Sequence, residues 1–188
     1  PTTLSKSTTC VPDYLTFIKH LKNSSNIAMA YSTILRRLRQ EKTNYKKRKL
    51  MLMSRQDFVT VQISNENTLV QIHKPQMAGD KVVASAHSRF LIDKGWKGSR
   101  KNVPAAYLTG YLAGKKALSG GTKEVILYSG TRRYTQRMAA ALKGAIDAGL
   151  QIPADKESLP ADERITGQHL KVKNDVAKIK SSIDSEVK

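Results

Sequence analysis

The stretch Phe58-Val-Thr-Val-Gln-Ile-Ser-Asn-Glu-Asn-Thr-Leu-Val-Gln-Ile72 decides the fold. Its two β-rich runs, Phe58 to Ile63 and Leu69 to Ile72, partly alternate apolar with polar side chains, the period of a half-buried strand. The polar link Ser64 to Asn67 is short enough to join them as a hairpin. Gly79-Asp80 supplies the next turn and Val82-Val-Ala-Ser-Ala-His87 a third strand, which predicts an antiparallel meander.

Downstream the period changes to that of a helix. Asn102 is placed to cap one, Pro104 falls in its first turn, and Tyr107, Leu108, Tyr111 and Leu112 make an apolar stripe. Ala106, Gly110 and Gly114 share one face, where missing side chains predict close approach to a sheet. Ser119-Gly-Gly121 stops the helix. Val125-Ile-Leu-Tyr128 then reads as a short buried strand, parallel to a strand of the meander after the crossover. Met138, Ala141, Leu142, Ala145 and Ile146 mark a last core helix ended by Gly149. The fold class is therefore α/β, with a mixed sheet of an antiparallel meander plus one parallel strand.

Outside this core, residues 1–28 read as an N-terminal extension, with a short amphipathic helix from Pro12 bearing Tyr14, Phe17, Ile18 and Leu21. Residues 29–55 form a basic arm, 56–152 the globular core and 153–188 a C-terminal tail. In the tail Val172, Val176, Ile179, Ile183 and Val187 lie on one helical stripe, with no evident core to cover.

Charge narrows the partner. The 188 residues carry 33 Lys and Arg against 15 Asp and Glu, a formal net charge of +18. Such an excess repels itself in a compact chain and attracts polyanions, nucleic acid first among them. No run approaches the roughly 18 apolar residues of a membrane span. The N-terminus shows no apolar stretch followed by a cleavage site, so a cytoplasmic location without a membrane partner is expected. Cys10 is the single cysteine, which leaves no internal disulfide. His20, His73, His87 and His169 are scattered without metal-ligand spacing. Asp80 is a turn residue, Asp93 adjoins Lys94 and Asp147 fits a helix surface. These acids give no metal cluster, and phosphate-binding glycine loops are absent. No catalytic residue, metal, cofactor or small-molecule substrate is expected.

Groups suited to phosphate fall in three places. In 31–55 nine basic residues face one acid, Glu41. Arg36, Arg37, Arg39, Lys42, Lys46, Lys47, Arg48, Lys49 and Arg55 carry the charge, and Tyr45 offers a ring for stacking. A continuous helix here would repel itself, so order is expected to come mainly from the partner. Ile34, Leu35 and Leu38 could share a helical face, as could Leu50 and Met53. The second group is His87, Ser88 and Arg89, followed by Lys94, Trp96, Lys97, Ser99, Arg100 and Lys101, with Gly95 and Gly98 between. Trp96 fits either a stacking platform for an unpaired base or a plug in the core. The third is Arg132, Arg133, Tyr134 and Arg137, in a loop and first helical turn after a strand, where backbone N–H groups suit phosphate. An aromatic content of 6% disfavours a binder built on stacking and favours folded RNA held through its phosphates.

Several motifs then coincide in order. Gly79-Asp-Lys-Val-Val-Ala-Ser-Ala-His-Ser-Arg89, Gly95-Trp-Lys-Gly98, Asn102-Val-Pro-Ala-Ala-Tyr-Leu-Thr-Gly110 and Ala113-Gly-Lys-Lys-Ala117 resemble the archaeal and eukaryotic branch of the L18 family of ribosomal proteins. Lys42-Thr-Asn-Tyr-Lys-Lys-Arg48 is similar to that branch's basic motif. Ala139 to Leu150 resembles its last core helix, and Leu159-Pro-Ala-Asp-Glu-Arg-Ile165 with Gly167 and His169 its tail motif. Phe90, Tyr128, Thr166 and Gln168 depart from residues usual in the family. The resemblance implies a three-layer α/β domain, a structural component of the large ribosomal subunit that binds 5S rRNA in the central protuberance. It also implies contacts with large-subunit rRNA and neighbouring ribosomal proteins, and no cofactor. Carried over by position, the arm would contact 5S rRNA, with the loop 87–101 and the turn at Arg132, Arg133 and Arg137 completing the surface. The alternatives are a nucleic-acid-processing enzyme on a ribonuclease-H-like sheet, which needs clustered carboxylates, and a chromatin-type DNA binder.

Overall fold

β1 (Asp57–Ile63) and β2 (Thr68–Lys74) pair antiparallel, with Phe58 opposite His73 and Val61 opposite Val70. Ser64 closes the turn between them: its Oγ donates to the Asn67 carbonyl and accepts from the Asn67 N–H, both at 2.9 Å. β3 (Lys81–His87) adds to β2, with a bulge between Ile72 and His73. β4 (Val125–Leu127) pairs parallel with β1, which gives the order β3-β2-β1-β4. The meander and the parallel strand are as expected.

The computed structural model describes residues 35–170 and 175–186. The helix expected from Pro12, and Ile34, Val172 and Val187 of the expected apolar faces, lie outside the described residues. The chain divides into two compact units, 1–40 and 41–188. The first is described only at its end, where α1 (Arg36–Arg39) is a single exposed turn with Leu35 and Leu38 exposed.

All else belongs to the second unit. α2 (Tyr45–Met53) begins at Asn44, whose Oδ1 accepts the Lys47 N–H at 3.1 Å. α3 (Phe90–Asp93) is one turn, and α4 (Val103–Ser119) and α5 (Gln136–Asp147) are the long helices. After a 3₁₀ turn at Lys156–Ser158 come α6 (Asp162–Thr166) and α7 (Val176–Glu186). With helices on both sides of the mixed sheet, the architecture is a three-layer α/β domain.

Side-chain alternation places Val59, Val61, Val70 and Ile72 on one face, where α4 and α5 pack. On the other face Phe58 stacks on His73 with centroids 5.1 Å apart and meets the edge of Tyr128. α4 is buried along Pro104–Gly114 because it lies between β2 and β3 and three further helices. Here the structure corrects the glycine reading. Gly110 and Gly114 approach α5, not the sheet: a Cβ on Gly110 would stand 2.0 Å from the Ala141 carbonyl oxygen. Gly144 of α5 answers from its side, its Cβ position lying 2.1 Å from the Tyr107 oxygen.

Three further expectations are corrected. α2 is not left to a partner for its order, since Met51 is buried and Arg48 donates to both Asp80 oxygens at 2.9 and 2.7 Å. The turn 40–44 breaks the charged run into two short helices, so no single helix bears all nine cations. The face expected of Leu50 and Met53 is instead solvated, each being 69% exposed. The tail does find a surface: α7 buries Ile179 and Ile183 and packs on α4. The Tyr111 hydroxyl donates to Asp184 at 2.7 Å, Lys115 pairs with Asp184 at 3.0 Å, and Lys180 stands 4.7 Å above the Tyr111 ring. The Tyr111 hydrogen bond, then Lys115, hold the Asp184 carboxyl below its ordinary range.

Candidate nucleic-acid interface

Topology decides which predicted groups meet. The carboxyl ends of β1, β3 and β4 all open at the end of the sheet that holds the hairpin 64–67. The loops 88–102 and 128–135 leave from that same end, where ligands of open α/β sheets commonly bind. Lys101 of one loop, Arg132 and Arg133 of the other, and Arg137 in the first turn of α5 line a single groove of about 380 Å³. Its floor is Val61, Ile63 and Met138, and Ser64 and Asn65 form the hairpin edge. Lys101 and Arg137 also flank an adjoining groove that His169 of the tail enters.

Among the described residues, none of the four cationic side chains makes an ion pair or hydrogen bond with another. Like charges gathered without a counter-charge raise the free energy of the bare protein and favour an anion.

Arg100 is spent locally: its Nε donates to Asn67 Oδ1 at 2.8 Å and ties the basic loop to the hairpin. Gly95 and Gly98 carry φ of +77° and +103°, which the tight path of this loop requires. Two predicted contact residues prove internal. Trp96 is 7% exposed, and its Nε1–H donates to the Ser99 carbonyl at 3.3 Å, so it is the core plug and its ring is closed to a base. Ser88 is fully buried; its Oγ accepts the Thr68 N–H at 3.0 Å and locks the loop to β2. His87, Arg89, Lys97, Ser99 and Tyr134 are exposed, and the Arg89 N–H donates to His87 Nδ1 at 3.1 Å.

Within the second unit, α2 stands apart from this groove. Arg48 is held at Asp80 in the β2–β3 turn, the opposite end of a seven-residue strand of roughly 20 Å. Tyr45, Lys46, Lys47 and Lys49 are exposed on α2, and Arg55 follows it with φ of 55°. Lys42 is exposed before α2, and Arg36, Arg37 and Arg39 are exposed on α1. Asn65 and His169 were not foreseen as lining residues; an Asn in a hairpin turn carries no signal beyond turn propensity.

The family model described as "Ribosomal large subunit proteins 60S L5, and 50S L18" matches residues 29–125. The chain belongs to this family. Over 143 residues it is 48% identical to the large ribosomal subunit protein uL18 of Aeropyrum pernix, covering 74% of this chain and 67% of that one. It is 46% identical to the protein of that name from Thermofilum pendens, covering 74% and 72%. For Methanothermobacter thermautotrophicus the identity is 42%, with 74% of each covered. As a member of this family the chain is a large-subunit ribosomal protein with its place in the ribosome, and the family speaks for a structural role rather than an enzyme.

Among the described residues, the carboxylates needed for a ribonuclease-H-like reaction do not gather. Asp80 pairs with Arg48, Asp147 accepts the Tyr107 hydroxyl at 2.8 Å, and among the described residues no three His, Cys, Asp or Glu meet. No described helix is long and apolar enough to cross a membrane.

Proposed function

We propose that the chain binds 5S rRNA and helps to anchor it in the central protuberance of the large subunit. The observation that carries this reading is the uncompensated set Lys101, Arg132, Arg133 and Arg137 around one groove, in a chain of net charge +18. Residues 29–55 serve as the basic arm, 56–152 as the core that supplies shape and register, and 153–188 as the tail. Side chains of the arm and of the loop 87–101 add phosphate contacts, while Trp96 and Ser88 support the loop from within. Large-subunit rRNA and neighbouring ribosomal proteins are the further partners, with no cofactor.

Phosphate contacts release counterions, so affinity must fall with salt. With six or more contacts, binding of the purified chain to 5S rRNA weakens roughly a thousandfold or more between about 50 and 200 mM salt. A competition with duplex DNA is measured alongside. Equal affinity for both nucleic acids, or an isotherm nearly flat in salt, overturns the proposal.

A further inference from the structure

We infer that the groove between the hairpin 64–67 and the loop 131–137 holds one unpaired nucleotide of the bound RNA, its phosphate on the rim and its base on the floor. The inference rests on the RNA-binding reading above and adds what part of the RNA enters.

Three observations meet here. The rim carries Lys101, Arg132, Arg133 and Arg137, whose charge is unopposed among the described residues. The floor is apolar: Ile63 at the end of β1 is only half-buried and presents the accessible surface, with the core side chains Val61 and Met138 packed behind it. A site for phosphate alone has no use for such a floor, whereas the face of a base is desolvated favourably on it. At the edge, the side-chain amide of Asn65 makes no hydrogen bond to another described residue, so its donor and acceptor are both open to a base edge.

Size and shape choose between paired and unpaired RNA. The groove, about 380 Å³, falls at the lower end of the roughly 300–1,000 Å³ of clefts that enclose small ligands. An A-form duplex keeps its bases stacked inside and presents phosphates and ribose to a protein surface. It would meet the cations and leave the floor wet. A nucleotide extruded from a loop or bulge satisfies rim, floor and edge together. Asn65, not the cations, would then distinguish one base from another.

The test uses the full chain labelled at methionine and isoleucine methyl groups. Four probes are compared: a mixed single-stranded hexaribonucleotide, an RNA duplex, inorganic phosphate and 5S rRNA. The hexaribonucleotide is expected to shift the Met138 and Ile63 signals, and 5S rRNA to shift the same two. The duplex is expected to leave both in place. Arg133→Ala with Arg137→Ala weakens the hexaribonucleotide by about tenfold or more, as loss of a charge-assisted contact does. Asn65→Ala, on an exposed turn and harmless to folding, narrows the affinity differences among homopolymeric hexamers. Equal shifts with phosphate alone, or with the duplex, overturn the inference in favour of a plain anion site. If 5S rRNA binds while both signals stay still, the inference fails and the RNA-binding reading stands. If 5S rRNA does not bind the unmodified chain at all, the reading beneath it fails first.

Discussion

The two ends of the sheet hold the same kind of side chain and treat it in opposite ways. At the β2–β3 turn, Arg48 donates to both oxygens of Asp80, and the pair is only 30% and 21% exposed at its side chains. At the hairpin end four cations share a groove, and none finds a counter-charge among the described residues. The first arrangement fixes a helix to a turn. The second leaves repulsion in the bare protein that a phosphate relieves. Position in the fold therefore decides whether an arginine of this basic chain belongs to the scaffold or faces the partner. Counting charges along the sequence does not separate the two.

Both ends depend on one frame, so the largest effect comes from breaking it. The contact of α4 with α5 is made through Gly110, Gly114 and Gly144, and a Cβ on Gly144 would stand 2.1 Å from the Tyr107 oxygen. Helix backbones cannot yield by an ångström without unseating the sheet they cover. Gly144→Val is expected to cost about 4 kcal/mol or more, the range of severe core disruption. Thermal unfolding and RNA binding should be lost together. A variant of normal stability would show that the two helices are free to separate and that the frame is looser than its packing suggests.

Next in size is the open end itself. Changing Arg132, Arg133 and Arg137 together to Ala removes about three phosphate contacts, which reduces the salt slope of RNA binding by roughly three units. Affinity near 100 mM salt should fall on the order of a hundredfold or more, with little change in unfolding midpoint. A midpoint drop as large as the affinity loss would place these arginines with Arg48, as scaffold.

The strands, the antiparallel meander and the two long helices were legible because alternation, turn residues and helical spacing are local signals, whereas which meander strand β4 would join was not. Partners distant in sequence were not. The spacing of Gly110 and Gly114 announces a close approach yet cannot say whether a sheet or α5 makes it. Trp96 and Ser88 sit in a stretch rich in Lys and Arg, and only β2, some 20 residues earlier, shows that Ser88 is internal. Arg48 lies 32 residues from Asp80, and Asp184 lies 73 from Tyr111. Nothing local in either segment predicts those pairings. Of the candidate site, the three basic groups were visible in the residues, while the convergence of two of them was implied only by the family resemblance and by no local signal. That convergence follows from strand direction, which places the ends of β1, β3 and β4 together.

At the paired end the expected effect is smaller. Asp80→Asn removes the counter-charge of Arg48 and should cost about 1 kcal/mol or less, as for partly exposed ion pairs. RNA affinity should hold or rise slightly, because a guanidinium is released toward solvent. A clear loss of affinity would mean that Asp80 positions α2 for RNA, and the contrast between the two ends would shrink.

The smallest effect separates the ends by pH. His73 stands opposite Phe58, with its Nε2 3.0 Å from the Thr60 hydroxyl, and burial lowers its pKa below the ordinary value. Asp80 acts in the raising direction and Arg48 in the lowering one. A base whose folded pKa is depressed takes up its proton more readily in the unfolded chain. Its contribution to stability is therefore fully present above the unfolded value of about 6.5 and is lost as pH falls through it toward the folded pKa. Acidification from about 7.5 to 5.5 should lower the unfolding midpoint, and His73→Phe, which keeps a ring on Phe58, should remove that part of the decline. Asp80→Asn should enlarge it, since the influence that raises the His73 pKa is gone. Arg132, Arg133 and Arg137 lie at the other end of the sheet from His73, so alanine at those three positions should leave the slope with pH unchanged. If those three changes altered the pH slope as much as His73→Phe, the two ends would be coupled through the sheet, and the division between scaffold and interface would fail.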